Sequence, residues 1–194
     1  MLKNSFLETI KSIDGRVSNI SYHQKRYESV LSSLGISVYK NLQEYLHPPS
    51  SGLYRCRLVY TLDSISVTYH AYTKRDIHSL RLVYDNTIEY AKKLTARDRI
   101  NELFELREEC DDILIVKNGR ITDTSIANVA FYKNDIWYTP ASPLLRGTTR
   151  QRLLDEGFLH TADINVEDLK KYSQIALLNA MIDFDIIASI SYKY

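Results

Sequence analysis

The sequence is poor in cysteine and has no cluster of residues typical of a metal site. Cys56 and Cys110 are the two cysteines among 194 residues. They are too few and too far apart in sequence to indicate a disulfide framework or a zinc site. We therefore expect no metal, and two free thiols fit a reducing compartment.

The sequence also lacks an excess of charge and a long apolar run. It has 25 lysine and arginine residues against 24 aspartate and glutamate residues, a formal net charge of +1. Nucleic-acid binding needs a concentrated basic face, which this balance does not suggest. No apolar run reaches membrane-spanning length, and the first residues have no signal-peptide core. We expect a cytoplasmic protein without nucleic-acid or membrane partners, built as one domain or two small ones.

The densest group of polar side chains follows a predicted strand. The apolar, β-branched run from Ile113 to Val116 predicts a strand, and Asn118-Gly119 predicts a hairpin because both residues tolerate positive φ. Further strands are predicted from Val129 to Phe131 and from Ile136 to Pro140, around an Asn134-Asp135 turn. Between these strands lie Asp123, Thr124, Ser125 and Asn128. A strand meander that carries such a cluster indicates a scaffold with a functional site.

The remaining pattern predicts a mixture of strands and helices. Short strands at 6–10 and 17–20 flank an Asp14-Gly15 hairpin, and apolar spacing predicts a helix over 22–34 that ends at Gly35. Later strands are predicted at 53–60, 65–72 and 77–84. The segments 166–172 and 175–184 are predicted as helical or mixed, and 186–192 as a closing strand.

Several of these segments together resemble the class IV aminotransferases. This family of pyridoxal-phosphate (PLP) enzymes includes branched-chain and D-amino-acid transaminases and aminodeoxychorismate lyase. Its signature is an acid five positions before an Asn, a Tyr-Thr-Pro-like segment, and an apolar-x-Gly-x-x-basic turn. The matching residues are Asp123 with Asn128, Tyr138–Pro140 and Leu145–Arg150. The family usually has Glu where this chain has Asp123, and an aliphatic residue where it has Thr148.

The first part of the chain resembles the same family. It contains Phe6-Leu-Glu-Thr, the Asp14-Gly15 turn, His23-x-x-Arg26 and a Leu34-Gly35 ending. The resemblance implies that Arg26 binds the cofactor phosphate, which a guanidinium can hold bidentately. From the residues alone, the basic segments at 23–26 and 90–99 are equally consistent with solvated helix surface.

The resemblance also implies the other cofactor-binding residues. The family's Schiff-base lysine lies on a strand about thirty residues before the acid, and Lys93 lies thirty before Asp123. Lys92 is the alternative, and the Tyr90-x-x-Lys93 spacing of short members favours Lys93. Asp123 would contact the pyridine nitrogen. Thr148 and Thr149, at a predicted helix start, would form the second half of the phosphate site.

The implied fold is α+β, the two-lobed PLP fold type IV of D-amino-acid aminotransferase. Residues 1–86 would form an N-terminal lobe with the phosphate arginine. Residues 87–194 would form a larger, β-rich lobe with the lysine and the signature motif. The family plan also implies a homodimer that acts on a small amino substrate.

Resemblance to short members of the family implies an aminodeoxychorismate lyase-like activity. Such an enzyme eliminates pyruvate from 4-amino-4-deoxychorismate and leaves 4-aminobenzoate, a step of the folate pathway. One alternative is an amino-acid transaminase of the branched-chain or D-amino-acid type. Another is a non-catalytic protein that keeps the fold.

Overall fold

The computed structural model describes residues 5–187 and 191–193, which form two compact units. The first unit contains the chain up to Lys74 together with Lys92–Ala96, and the second contains Arg75–Ala91 and the chain from Arg97 onward. The expected boundary between residues 86 and 87 differs from this division. The reason is that the strand at 79–84 pairs within the sheet of the second unit, whereas Lys92–Ala96 returns to the first.

The first unit is an antiparallel sheet with one helix. Its strands lie in the order β2-β1-β3-β4. The elements are β1 (Phe6–Ile13), β2 (Arg16–Val17), α1 (Ile20–Ser32), a 3₁₀ helix (Leu42–Tyr45), β3 (Leu53–Tyr60) and β4 (Ile65–Ala71).

Alternation along β1 builds the core of the first unit. Buried and half-buried residues alternate along the strand, so Phe6, Glu8 and Ile10 share the buried face. Phe6 and Ile10 pack in one cluster with Tyr27 and Leu31 of α1. The residues on the buried face of β1 are therefore apolar except for Glu8 and Ser12.

The second unit contains a sheet of nine strands among the described residues. The order β10-β9-β8-β7-β6-β5-β13 forms its main path, and β11 pairs with both β8 and β12. The elements are β5 (Ser79–Tyr84), α2 (Asp98–Glu105), β6 (Asp112–Lys117), β7 (Arg120–Thr124), β8 (Asn128–Lys133), β9 (Ile136–Pro140), α3 (Thr148–Asp155), β10 (Leu159–Ala162), a 3₁₀ helix (Val166–Lys171), β11 (Gln174–Asn179), β12 (Asp183–Ile187) and β13 (Ser191–Lys193).

The central strand β6 is covered on both faces. Leu114 and Val116 pack in one core cluster, while Ile113 and Ile115 pack in another with α2 residues such as Leu103. All four strand residues are fully buried. This explains the unbroken apolar run in the sequence, since a strand with only one buried face would alternate with polar residues.

The hairpin predictions are confirmed. Asp14-Gly15, Asn118-Gly119 and Asn134-Asp135 all have positive φ at both residues, as type I′ turns require. The helix predicted over 22–34 is also present, shifted by two residues at each end, and Gly35 follows it at φ +83°.

Two predictions of secondary structure are wrong. The strand expected at 17–20 stops at Val17, because Asn19 adopts left-handed φ and α1 begins at Ile20. The segment 175–184 is not helical but forms most of the β11–β12 hairpin. Its consecutive buried residues alternate between two core clusters, with Ile175 in one and Ala176 in the other, and this packing outweighs local helix propensity.

The closing strand expected at 186–192 divides between two strands. β12 ends at Ile187 and pairs with β11, whereas β13 begins at Ser191 and pairs in parallel with β5. Residues 188–190 lie outside the described residues.

The burial of β6 generates a stability prediction. We expect Ile115→Ala to lower the free energy of unfolding by about 2–5 kcal/mol, because it opens a cavity under a fully buried strand. Tyr84→Ala, at a side chain that is 59% exposed at the end of β5, should change it by no more than about 1 kcal/mol. Urea unfolding of both variants measures the difference. Equal losses would contradict the assignment of Ile115 to the core.

Candidate active site

Asp123 and Asn128 face each other across a tight turn. They are paired residues of neighbouring strands β7 and β8. The turn between them is closed by the Thr124 N–H, which donates to the Ala127 carbonyl at 2.8 Å. The Thr124 hydroxyl accepts from the Ala127 N–H at 3.0 Å. A spacing of five residues in sequence thus places the two side chains side by side, where the Asn128 amide donates to the Asp123 carboxylate at 2.7 Å.

The strand pairing next to Asp123 is irregular. Leu114 pairs with Thr124 and Val116 with Ile121, so two residues of β7 oppose one of β6. Thr122, one of those two residues, donates its hydroxyl proton to the Ile115 carbonyl at 2.8 Å. Bulges of this kind redirect a side chain, and here the irregularity includes Asp123 itself.

A third segment of the motif joins the same cluster. The second Asn128 amide proton goes to the Leu145 carbonyl at 2.8 Å, and the Leu145 N–H donates to the other Asp123 oxygen at 2.9 Å. Two residues later, a Cβ added to Gly147 would stand 2.0 Å from the Asn128 side-chain oxygen. Glycine at this position is therefore required by the Asn128 side chain.

The helix α3 begins directly after this contact. Thr148 and Thr149 are both buried in its first turn, and no side chain caps the helix within the part of the chain that the structure describes. Arg150 is buried as well, and its guanidinium donates to the Pro140 carbonyl at 2.8 Å and to the Thr139 hydroxyl at 3.3 Å. The Tyr-Thr-Pro and Gly-x-x-Arg parts of the motif are thus joined by hydrogen bonds.

Asp123 is a buried acid that forms no ion pair with the residues the structure describes. Burial raises its pKa to about 6, against the lowering effects of the Leu145 N–H, the Asn128 amide and the charge of Arg150. The carboxylate accepts hydrogen bonds from neutral donors, the Asn128 amide on one oxygen and the Leu145 N–H on the other, and the Leu144 N–H also lowers its pKa. The carboxyl group therefore has an electrostatic need for a cationic N–H donor.

A second polar cluster lies in the first unit, around Glu8. Glu8 on β1 is fully buried and faces α1, where His23 and Arg26 are three residues apart on one side of the helix. Arg26 donates Nε to one Glu8 oxygen at 2.7 Å and Nη2 to the other at 2.5 Å. His23 Nδ1 lies 2.6 Å from the second oxygen.

Burial and neighbouring charges set the protonation states of Glu8 and His23. Burial acts to raise the pKa of Glu8, but the charge of Arg26 and the hydrogen bonds from His23 and Arg26 outweigh it and hold the pKa at about 2. Burial lowers the pKa of His23, and the charges of Arg26 and Lys93 act in the same direction against the raising effect of Glu8. At neutral pH the cluster therefore holds an anionic Glu8, a cationic Arg26 and a neutral His23, which donates from Nδ1.

Lys93 belongs to the same unit as this cluster. Its carbonyl accepts from the Leu7 N–H at 2.8 Å, and Leu94 forms an isolated bridge with Phe6. Lys92 and Lys93 lie outside the strands, so the expectation of a lysine on a strand is wrong. On the other side of the bridge the Thr95 N–H donates to the Ser5 carbonyl at 3.0 Å, while the Leu94 N–H donates to the Lys92 carbonyl at 2.9 Å. The charge of Lys93 helps to lower the pKa of His23.

The structure brings the predicted residues together in two groups. Arg26 and Lys93 lie in the first unit, and Asp123, Thr148 and Thr149 lie in the second. The site prediction did not include the polar residues that hold these side chains in place, although all of them stand inside the motifs that it quoted. They are Glu8, His23, Asn128 and Arg150.

Two negative observations concern residues 5–187 and 191–193. Within them, no group of three or more His, Cys, Asp or Glu residues could hold a metal ion. The same residues include no helix with the length and apolar character needed to span a bilayer.

Comparison with known proteins identifies the family. Residues 5–190 match the model of amino-transferase class IV. An uncharacterised protein of Haemophilus influenzae is 38% identical over 180 residues, which cover 90% of this chain and 96% of that protein. A solved structure from Haemophilus somnus, named "putative 4-amino-4-deoxychorismate lyase", has 35% identity and a TM-score of 0.85, and covers 93% of this chain and 98% of its own.

A more distant structure shares the fold. The PLP-bound form of a hypothetical aminotransferase from Mycobacterium tuberculosis has a TM-score of 0.83 at 16% identity, over 98% of this chain and 82% of its own. The chain belongs to the class IV aminotransferases, a family of PLP-dependent enzymes. The recognition of the family from its motifs, the α+β fold of PLP type IV, and the expectation of a PLP-dependent enzyme are confirmed.

The contact between Gly147 and Asn128 generates a prediction. We expect Gly147→Ala to lower the free energy of unfolding by about 2–4 kcal/mol, because the new methyl group displaces an amide that makes two buried hydrogen bonds. Urea unfolding measures the loss. In an Asn128→Ala background, which removes the clash, Gly147→Ala should cost much less. Additive losses would show that the two residues do not interact.

The raised pKa of Asp123 generates a pH prediction for the cofactor-free protein. The folded state keeps this proton up to a pKa of about 6, whereas the ordinary value is 3.8, so the free energy of unfolding falls as pH rises through this window. The total effect is at most about 3 kcal/mol for a shift of this size. Glu8 acts in the opposite direction, but only below its ordinary pKa of 4.5.

Urea unfolding between pH 4.5 and 6.5 measures the effect, and comparison with Asp123→Asn separates it from two other buried groups. Burial raises the pKa of Asp112, which adds to the loss of stability with rising pH, whereas burial lowers the pKa of His23, which opposes that loss. Stability should fall with rising pH more steeply in the wild-type chain than in Asp123→Asn, although this variant is less stable because one donor is left unpaired. The same slope in both proteins would assign the titration to other groups.

Proposed function

We propose that this chain is an aminodeoxychorismate lyase-like PLP enzyme that eliminates pyruvate from 4-amino-4-deoxychorismate and leaves 4-aminobenzoate. The observation that carries the proposal is the hydrogen-bonded cluster of Asp123, Asn128 and Leu145, which unites the parts of the family motif. The specific reaction is supported by similarity along nearly the whole length of the Haemophilus somnus protein with that name.

The residues present fit the phosphate of PLP. Arg26 offers a guanidinium that Glu8 contacts on its Nε and Nη2 atoms, with a side chain that is 14% exposed. Thr148 and Thr149 offer hydroxyls and first-turn N–H groups at the start of a helix that lacks a side-chain cap. We assign phosphate binding to these three residues.

Asp123 fits the pyridine nitrogen of PLP. A protonated ring nitrogen would give this buried carboxylate the cationic N–H partner that its neutral donors do not supply, and the pKa of Asp123 would fall accordingly. In turn, the carboxylate would keep the nitrogen protonated. Asp123 thereby maintains the electron-withdrawing form of the ring.

Lys93 is assigned as the catalytic residue. PLP supplies an electron sink that stabilises negative charge next to the amine it holds. Lys93 Nζ would link to the cofactor at rest and, once released, would take the proton from the carbon that bears the substrate amine. The bond between the ring and the enolpyruvyl oxygen then breaks, and the same proton passes to the enolpyruvyl methylene carbon to complete pyruvate.

The test of the reaction is pyruvate release without a second substrate. Purified protein should take up PLP, turn yellow, and form a link that borohydride reduces. It should then release pyruvate from 4-amino-4-deoxychorismate with no 2-oxo acid present. A protein that releases no pyruvate, but converts an added 2-oxo acid to its amino acid at the expense of an amino-acid donor, would be a transaminase instead, and a protein that takes up no PLP would overturn the proposal. The homodimer that the family plan implies stays a prediction, and light scattering would test it by measuring the molar mass in solution.

The choice between the two lysines gives a matched pair of variants. We expect Lys93→Ala to lower pyruvate release by about 10²–10⁴-fold, the usual contribution of a general base, and to abolish the borohydride-reducible link. Lys92→Ala should keep both. Both lysines are half-buried neighbours, so the pair controls for local damage to the fold. If Lys93→Ala retained the link, the assignment would transfer to Lys92.

A further inference from the structure

The carboxylate of Glu8 has a geometry that fixes a guanidinium in both position and plane. It accepts from Nε and Nη2 of Arg26 through different oxygens, at 2.7 and 2.5 Å. A side-on, two-point contact of this kind removes the rotation that a single hydrogen bond would leave. Glu8 itself is on the middle of β1, inside the sheet and fully buried.

His23 completes the support of Glu8 from the same helix. Its Nδ1 lies 2.6 Å from the oxygen that also receives Arg26 Nη2. The carboxylate is thus held between two side chains of α1, and neither of its oxygens is left without a donor. Removing a charged pair from water is costly unless the geometry is good, and here three hydrogen bonds to Glu8 offset that cost.

We propose that Glu8 is a positioning residue that sets the Arg26 guanidinium for the cofactor phosphate, with His23 holding the carboxylate in place. The inference rests on the proposed function, because it assigns Glu8 a role toward a bound phosphate. Preorganisation removes the cost of ordering a flexible arginine when the anion arrives. Glu8 contacts the Nε and Nη2 atoms, so it holds one edge of the guanidinium in a fixed plane.

A competing effect makes the inference testable. Glu8 is an anion next to Arg26, so by charge alone it should weaken the attraction between Arg26 and a phosphate. If orientation dominates, Glu8→Gln weakens phosphate binding; if charge dominates, the same change strengthens it. The sign of the change in affinity therefore separates the two effects.

The experiment compares PLP with pyridoxal, which has the same ring and aldehyde but lacks the phosphate. The cofactor-free chain is titrated with each compound. For Glu8→Gln we expect PLP affinity to fall by about ten- to a hundredfold, the scale of a misplaced binding group, while pyridoxal affinity stays unchanged. Glu44→Gln, the same substitution at an exposed residue of the same unit, should leave both affinities unchanged.

A double-substitution cycle tests whether Glu8 acts through Arg26. Glu8→Gln should cost little further PLP affinity in an Arg26→Gln background. The inference is overturned if Glu8→Gln tightens PLP binding, if it weakens PLP and pyridoxal equally, or if its effect persists in full without Arg26.

A second variant covers the case in which Glu8→Gln does not fold. Glu8→Asp keeps the charge but draws the carboxylate back by one methylene group, so it should also lose PLP affinity selectively. Binding of PLP by Glu8→Asp at the wild-type level would overturn the inference. If the wild-type chain takes up no PLP, the proposed function is wrong. If the wild-type chain and the Glu8 variant bind PLP equally well, only the role of Glu8 is wrong.

Discussion

The amide of Asn128 is the constraint on which the second unit's site depends. Its two protons go to different segments, one to Asp123 on the neighbouring strand and one to the Leu145 carbonyl before α3. The amide therefore ties the acid to the chain that leads into the helix start. The Gly147 backbone lies so close to the amide oxygen that a side chain would not fit. If Asn128 moved, the orientation of the Asp123 carboxylate and the position of the segment before α3 would no longer be fixed by the same side chain.

The two buried carboxylates show how contact with a charge differs from contact with neutral donors. Glu8 contacts Arg26 directly and has a pKa of about 2, whereas the described donors to Asp123 are neutral and its pKa is about 6. Both side chains are removed from water to a similar degree. The difference lies in the partner, because a cation in direct contact offsets more of the lost hydration of Glu8 than the neutral donors and the more distant charge of Arg150 do for Asp123. Glu8 is thus already neutralised by the protein, while Asp123 is suited to a cationic ligand.

Local signals in the sequence predicted the turns and the motif well. Dipeptides such as Asn118-Gly119 determine backbone conformation by themselves, and the five-residue spacing of Asp123 and Asn128 needs only a tight turn to bring them together. Predictions failed where distant packing decides. The apolar segment at 175–184 became a hairpin because its two faces meet different clusters, and Lys93 lost its expected strand because pairing stops at Leu94. No local pattern carries that information.

The supporting residues were missed for a related reason. Sequence motifs show which residue types recur together, but not which of them are buried, and burial is what separates Glu8 from an ordinary surface acid. In both units a buried polar residue, Glu8 or Asn128, holds by hydrogen bonds a neighbour that is proposed to meet the cofactor. Such a residue acts through the position of its neighbour. Its loss should therefore weaken cofactor binding more than it changes the chemistry of the reaction.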